Sequence, residues 1–219
     1  SPVINPMYYN YFKPAFDLVL AVVSITILFP LLLIISVLIV LDSKGPAVFK
    51  QTRAGKNFRL FNVYKFRTME EGAEIKGLIT SNNDKRITRL GRYLRRYKLD
   101  ELPQIFNILK GEMSFVGPRP LPPEDVAHFS DIDKSLLSVK PGITSPASIE
   151  FSDEEYSLPD DPKTLEDVYF NSVLPKKLAY DLEYFKNPGF FGDIRIIAST
   201  IILILDKILS IFLPKLKQK

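Results

Sequence analysis

Residues 18–41, LVLAVVSITILFPLLLIISVLIVL, form a run of 24 residues without a charge. As a helix the run would be about 36 Å long, against roughly 30 Å for a bilayer's hydrocarbon core. A stretch this long and this apolar is expected in lipid more than in the core of a soluble domain. A secretory signal peptide fits poorly, because its apolar region is shorter and Asp42-Ser43-Lys44-Gly45 is no small-residue cleavage site. Lys44, Lys50, Arg53, Lys56 and Arg59 follow the run, whereas Lys13 alone shortly precedes it, so the positive-inside rule puts the main body in the cytoplasm. Pro30 lies mid-run, where it removes a helix hydrogen bond and crowds the preceding turn. A kinked single span and a re-entrant hairpin with both ends cytoplasmic are both open to these residues.

The rest of the 219-residue chain is enough for one domain attached to this element. There is no Cys, which excludes thiol nucleophiles, thiolate metal sites and disulfides. His128 is the single histidine, so a multi-histidine metal site is excluded as well, and any metal should be a hard cation held by oxygen. The net charge of +4 is small, and its distribution matters more than its sum.

Residues 47–69 read as short strands joined by turns at Gly45-Pro46 and Ala54-Gly55-Lys56-Asn57. Residues 70–83 are polar and read as a surface loop. Residues 84–98 predict a helix, with Ile87, Leu90, Leu94 and Tyr97 at helical spacing and Lys85, Arg89, Arg92 and Arg96 as a basic stripe. A second helix is expected from Pro103 to about Gly111. Residues 152–164 read as an exposed acidic connection, and residues 167–185 as a helix broken at Pro175. Residues 194–213 are apolar but interrupted by Arg195, Asp206 and Lys207, which suits an amphipathic helix lying in a membrane interface, with Lys215, Lys217 and Lys219 near headgroups. A core helix is the alternative there.

The segment Arg95-Arg96-Tyr97-Lys98-Leu99-Asp100-Glu101-Leu102-Pro103-Gln104 sets two carboxylates at a helix start, directly after a basic helix. The positive helix end and the nearby cations should hold both carboxylates ionised. An ionised Asp100 could bind Mg²⁺ or attack phosphorus; by itself the pair is also what an ordinary acidic first turn looks like. Phosphoryl transfer needs cations, a divalent metal and an in-line nucleophile. Lys65 and Arg67 alternate with aromatics on an expected strand, and Arg119 stands between Pro118 and Pro120, which stiffen its backbone. Its planar fork suits phosphate oxygens, although it could equally pair with Glu124 at the surface.

These residues carry a resemblance. Tyr64-Lys65-Phe66-Arg67-Thr68-Met69, Leu99-Asp100-Glu101-Leu102-Pro103-Gln104-Ile105-Phe106-Asn107, Leu109-Lys110-Gly111-Glu112-Met113-Ser114-Phe115-Val116-Gly117-Pro118-Arg119-Pro120 and Lys140-Pro141-Gly142-Ile143-Thr144 stand in one order. In these the chain resembles the monotopic phosphoglycosyl transferases, bacterial enzymes that begin glycoconjugate assembly on undecaprenyl phosphate.

The resemblance implies an α+β fold: a mostly helical small cytoplasmic domain with short strands (residues 44–193), a re-entrant membrane helix-hairpin (1–43) broken at Pro30, and an interfacial helix (194–219). It implies transfer of a sugar-1-phosphate from a UDP-sugar to polyprenyl phosphate with release of UMP, at the cytoplasmic face of the bacterial inner membrane. Asp100 would be the nucleophile of a ping-pong reaction and Glu101 its partner, with Mg²⁺ on both. Lys65, Arg67, Arg95, Pro118, Arg119, Pro120 and Asp181 would form the substrate and phosphate site. Partners would be the UDP-sugar, the polyprenyl phosphate and membrane lipids, not nucleic acid. Two motifs depart from the family: Phe29-Pro30 replaces its Ser-Pro, and Ser145-Pro146-Ala147-Ser148 replaces a common Gly-Trp-Ala-Gln. The rival reading is a non-enzymatic basic adaptor for anionic lipid or nucleic acid, which leaves Asp100-Glu101 without a purpose.

Overall fold

A computed structural model describes residues 7–73, 84–127, 129–153, 158–159 and 161–212. The fold is α+β and dominated by helices. Residues 74–83, His128 and Lys215, Lys217 and Lys219 lie outside the described residues.

A π-helical turn at Tyr8–Phe12 leads into α1, Lys13–Asp42, a 30-residue helix that passes through Pro30 and continues. It is the one described helix long and apolar enough to cross a membrane. One stripe of α1 nevertheless faces protein. Ala21, with Ile25 and Leu28, packs on Val63, Ile105, Ile108 and Met113, and Leu32, Ile35 and Ile39 pack on Phe66 and Leu94. The opposite side, including Val19, Val22, Ile27, Phe29, Leu33 and Leu41, is exposed.

Both ends of α1 are tied to the same body by polar groups. At its start the Lys13 ammonium lies 2.6 Å from Asp193 and 3.7 Å from Asp17, and the Tyr8 and Tyr184 hydroxyls donate to Asp193 at 2.6 and 2.5 Å. At its end the Arg67 guanidinium donates to the carbonyls of Ser43 (2.8 Å), Ile39 (3.3 Å) and Lys44, and Asp42 accepts from the Leu90 N–H at 3.2 Å.

Strands β1, Val48–Ala54, and β2, Leu60–Phe66, pair antiparallel with Phe49 opposite Lys65. The expected helix over residues 84–98 is shorter: α2 spans Arg89–Arg96. Thr88 caps it by accepting from the Gly91 N–H, while Ile87 forms a β-bridge with Met69 and Asp84 grips Arg86. A 3₁₀ segment, Leu99–Gln104, then turns into α3, Ile105–Leu109, so this second helical stretch starts at the carboxylates rather than near Pro103. Asn107 is fully buried and joins the pieces: its amide oxygen accepts from the Tyr64 N–H at 3.0 Å, and its amide nitrogen donates to the Asn62 carbonyl and Glu112 at 2.7 Å.

Strand β3, Ser114–Val116, pairs in parallel with β4, Gly142–Thr144, across two short helices, α4 (Pro123–Val126) and α5 (Asp131–Lys134). Gly117 and Gly142 cross so closely that a Cβ on either would overlap backbone of the other's segment. That contact sets the course of the Pro118-Arg119-Pro120 loop. Three helices follow: α6 (Pro146–Glu150), α7 (Pro162–Val168) and α8 (Leu174–Lys186). The break expected at Pro175 is a π-helical turn, Tyr169–Val173, directly before it. Last is α9, Phe190–Phe212, whose Ile196 is buried while Ile201, Ile202, Leu205 and Leu209 are exposed. Its Lys207 reaches Asp153 at 2.7 Å, so one of the charges in this apolar helix is anchored to the body.

Candidate active site

The turn after α2 builds the centre. Tyr97 ends the helix, Lys98 takes a left-handed conformation (φ +56°), and Asp100 and Glu101 occupy the first turn of the 3₁₀ segment, both buried. The β1–β2 hairpin brings Lys65 to the pair, and the loop after β3 brings Arg119. Lys65 and Arg119 both donate to Oε1 of Glu101, at 3.0 and 2.9 Å. Together Lys65, Arg95, Lys98, Asp100, Glu101 and Arg119 line one small charged pocket. Four cations face two carboxylates, which leaves the cage short of negative charge and suited to phosphate.

The pocket lies between two larger spaces. Lys65, Arg95 and Asp100 also line a cavity of about 510 Å³ bounded by β1, β2 and residues 67–73, whose polar members Lys50, Arg53, Glu70 and Glu71 stand among apolar side chains. Lys98, Glu101 and Arg119 also line an apolar groove of about 300 Å³ between α1 and α9, walled by Leu20, Leu28, Phe115, Ile149, Ile201 and Ile204.

The two carboxylates titrate in opposite directions. Burial opposes the charge on Glu101, but Arg119, Lys65 and Lys98 outweigh it and hold Glu101 below the usual range. Burial and then the charge of Glu101 push Asp100 up, against Lys65, Arg95 and Lys98. The sequence expectation of two lowered carboxylates therefore holds for Glu101 and fails for Asp100, because Glu101 takes the close cations. Asp100 Oδ1 is buried and has no hydrogen-bond partner among the described residues. Among those residues no group of three metal-ligating side chains gathers. A hard divalent cation needs only one or two protein carboxylates when substrate phosphates supply the rest. An orphaned carboxylate oxygen beside an ionised one fits that requirement.

Of the residues singled out in the sequence, Lys65, Arg95, Asp100, Glu101 and Arg119 converge. Arg67 borders the cavity beside β1 and β2, but its guanidinium donates to the end of α1 instead of facing the carboxylates. Pro118 and Pro120 shape the loop that carries Arg119. Asp181 stands behind that loop: it is buried and accepts from the Ala147 N–H at 3.0 Å. Burial pushes its carboxyl up to about 6, against the Ala147 N–H, the Ser145 hydroxyl, Lys177 and the Arg119 backbone. Pro30 lies in α1, outside the cage. Two site residues went unassigned in the sequence. Lys98 could have been found two positions before Asp100. Arg53 has no such signal; burial and then Arg119 bring its guanidinium down to about 10, and it lines the cavity beside β1 and β2.

Residues 8–207 match the bacterial sugar transferase family. Over 197 residues the chain is 41% identical to an undecaprenyl-phosphate glucose phosphotransferase of Komagataeibacter xylinus, covering 86% of this chain and 35% of that protein. It is 39% identical to a UDP-glucose:undecaprenyl-phosphate glucose-1-phosphate transferase of Xanthomonas campestris pv. campestris, covering 90% and 40%. To a UDP-N-acetylgalactosamine-undecaprenyl-phosphate N-acetylgalactosaminephosphotransferase of Aeromonas hydrophila it is 35% identical, covering 90% and 44%. The chain thus spans less than half the length of these relatives. With a match across nearly its whole described length, the chain belongs to the bacterial sugar transferase family.

Proposed function

We propose that the chain transfers a sugar-1-phosphate from a UDP-sugar to polyprenyl phosphate, releasing UMP, at the cytoplasmic face of a bacterial inner membrane. The observation that carries this reading is the buried Asp100-Glu101 pair in a cage of four cations, flanked on one side by a cavity rich in charged side chains and on the other by an apolar groove. A water-soluble nucleotide sugar and a lipid phosphate need two such approaches to one centre. The names of the relatives support the same pair of substrates and differ in the sugar, so the sugar is left as a class. Burying a carboxylate costs stability unless it is paired, and Asp100 Oδ1 is left without a partner among the described residues, a cost that an adaptor for lipid or nucleic acid has no use for.

Asp100 attacks the phosphorus that bears the sugar, a P–O bond forms to its carboxylate, and the bond to UMP breaks with its electron pair leaving on UMP. A phosphate oxygen of the acceptor then attacks the same phosphorus, and the carboxylate of Asp100 leaves. Lys65, Arg95 and Arg119 hold phosphate oxygens, and Glu101 fixes Lys65 and Arg119 in place. Mg²⁺, held by Asp100 and Glu101, would neutralise diphosphate charge. Re-entry of α1 fits the tethering of both its ends to one body.

The test is release of UMP from UDP-glucose, UDP-galactose and UDP-N-acetylgalactosamine by the purified chain, with undecaprenyl phosphate and Mg²⁺. Release from at least one sugar, with label appearing in lipid, is expected. No release from any of a broad UDP-sugar panel overturns the reading.

A further inference from the structure

We propose that Lys98 is the docking group for the acceptor's phosphate, with the acceptor's hydrocarbon chain lying in the groove between α1 and α9. The inference rests on the transferase reading and adds to it the place of the second substrate.

Three observations converge on Lys98. It stands where the charged pocket meets the apolar groove and lines both. The walls of that groove, α1 and α9, are the two helices whose outer faces are exposed and apolar, so the groove is continuous with the surface a lipid would reach. Arg119 lines both spaces too, and what sets Lys98 apart from it and from the other cations is engagement. Lys65 and Arg119 are engaged with Glu101, and Lys65 and Arg95 border the cavity beside β1 and β2. The half-buried Lys98 ammonium has no ion pair or hydrogen bond among the described residues, and its field is felt at both Asp100 and Glu101.

The backbone adds an independent argument. Lys98 is the left-handed residue that ends α2, a position where Gly is the ordinary choice because a Cβ is strained there. A left-handed lysine at a charged centre points to a role for its side chain rather than its backbone. An incoming lipid phosphate must approach the negative Glu101 from the groove, and Lys98 with Arg119 supplies the charge that offsets this repulsion. Lys98 holds non-reacting phosphate oxygens; it neither gives nor takes a proton.

The experiment compares wild type, Lys98→Gly, Lys98→Asn and Lys98→Arg as full chains in detergent, with undecaprenyl phosphate as acceptor and the UDP-sugar the wild type uses. Gly and Asn both accept the left-handed backbone, so one carries the test if the other fails to fold. We expect kcat/KM for undecaprenyl phosphate to fall about tenfold in Gly and Asn, the loss of one charge-assisted contact. Lys98→Arg should recover most of it. The kcat/KM for the UDP-sugar, which reports the other half of the reaction, should fall clearly less than that for undecaprenyl phosphate. Melting temperature should hold or rise in Lys98→Gly. A purely structural lysine predicts that Gly works as well as Lys, and that result overturns the proposal. Equal losses in both kcat/KM values overturn it too, because Lys98 would then serve the whole cage. A wild type that consumes no UDP-sugar removes the transferase reading itself, and the docking role falls with it.

Discussion

Arg119 donates to Oε1 of Glu101 at 2.9 Å, and that oxygen also receives Lys65 at 3.0 Å. The guanidinium is about one-third exposed, so the pair itself is worth less than about 1 kcal/mol of stability. Its value lies in aiming a planar fork into the cage.

Arg119→Lys should therefore leave melting temperature within a few degrees of wild type but lower turnover about tenfold, as a bidentate phosphate contact becomes a point contact. Turnover and thermal melts on one preparation decide it. An active Arg119→Lys enzyme removes the guanidinium from the chemistry.

Asp100→Asn should abolish turnover while holding or raising stability. The folded protein already disfavours the Asp100 charge, through burial and Glu101, and Asn has nearly the same shape without the charge. Near-normal UMP release by the purified variant would falsify the nucleophile assignment. A large drop in melting temperature would mean that Asp100 holds the fold.

Asp181 makes stability depend on pH in a defined sense. Its carboxyl is raised from 3.8 to about 6, so the folded state binds a proton more tightly than the unfolded one. The stability this contributes is full below pH 3.8 and is lost as pH rises through about 6, to the extent of roughly 3 kcal/mol. Asp181→Asn should flatten the fall in melting temperature between pH 4 and 7. Melts across that range read the slope, and an unchanged slope assigns it to other groups.

Cysteines introduced singly at Asn10 and Ser43 test the topology, and these 219 residues contain no other cysteine to interfere. If α1 re-enters, both should resist an impermeant thiol reagent applied outside intact cells. Labelling at Asn10 alone would establish a single span.

The long apolar helix, the β1–β2 pair and the cluster of charges around Asp100-Glu101 are legible because each rests on local pattern: unbroken apolarity, turns between short strands, and charged residues close in sequence. The helix over residues 84–98 was overextended because Ile87 falls on the helical period yet is buried by its bridge to Met69. Arg67 misled for a related reason. Two residues after Lys65 it would share that face of a strand, but β2 ends at Phe66 and the guanidinium turns to the end of α1. Asp181 is far from Arg119 in sequence and meets it only through the packing of α8 behind the loop. No period or spacing in the sequence carries that kind of contact. Lys98, a basic residue at the end of a basic helix, looks ordinary in the sequence, and only its left-handed backbone sets it apart.

The stripe of α1 that packs on Val63, Phe66, Leu94, Ile105 and Ile108 has a practical consequence for handling this protein. Cutting away the first 42 residues to obtain a soluble version would strip the cover from two interior clusters, take the Ile39 carbonyl from Arg67, and take Lys13 and Tyr8 from the buried Asp193. The truncated piece would aggregate, not dissolve. The workable preparation keeps the helix and lets detergent or a lipid nanodisc wet only its outward side. For this protein the long apolar helix and the body that carries the charged pocket are one folding unit, and purification must carry both.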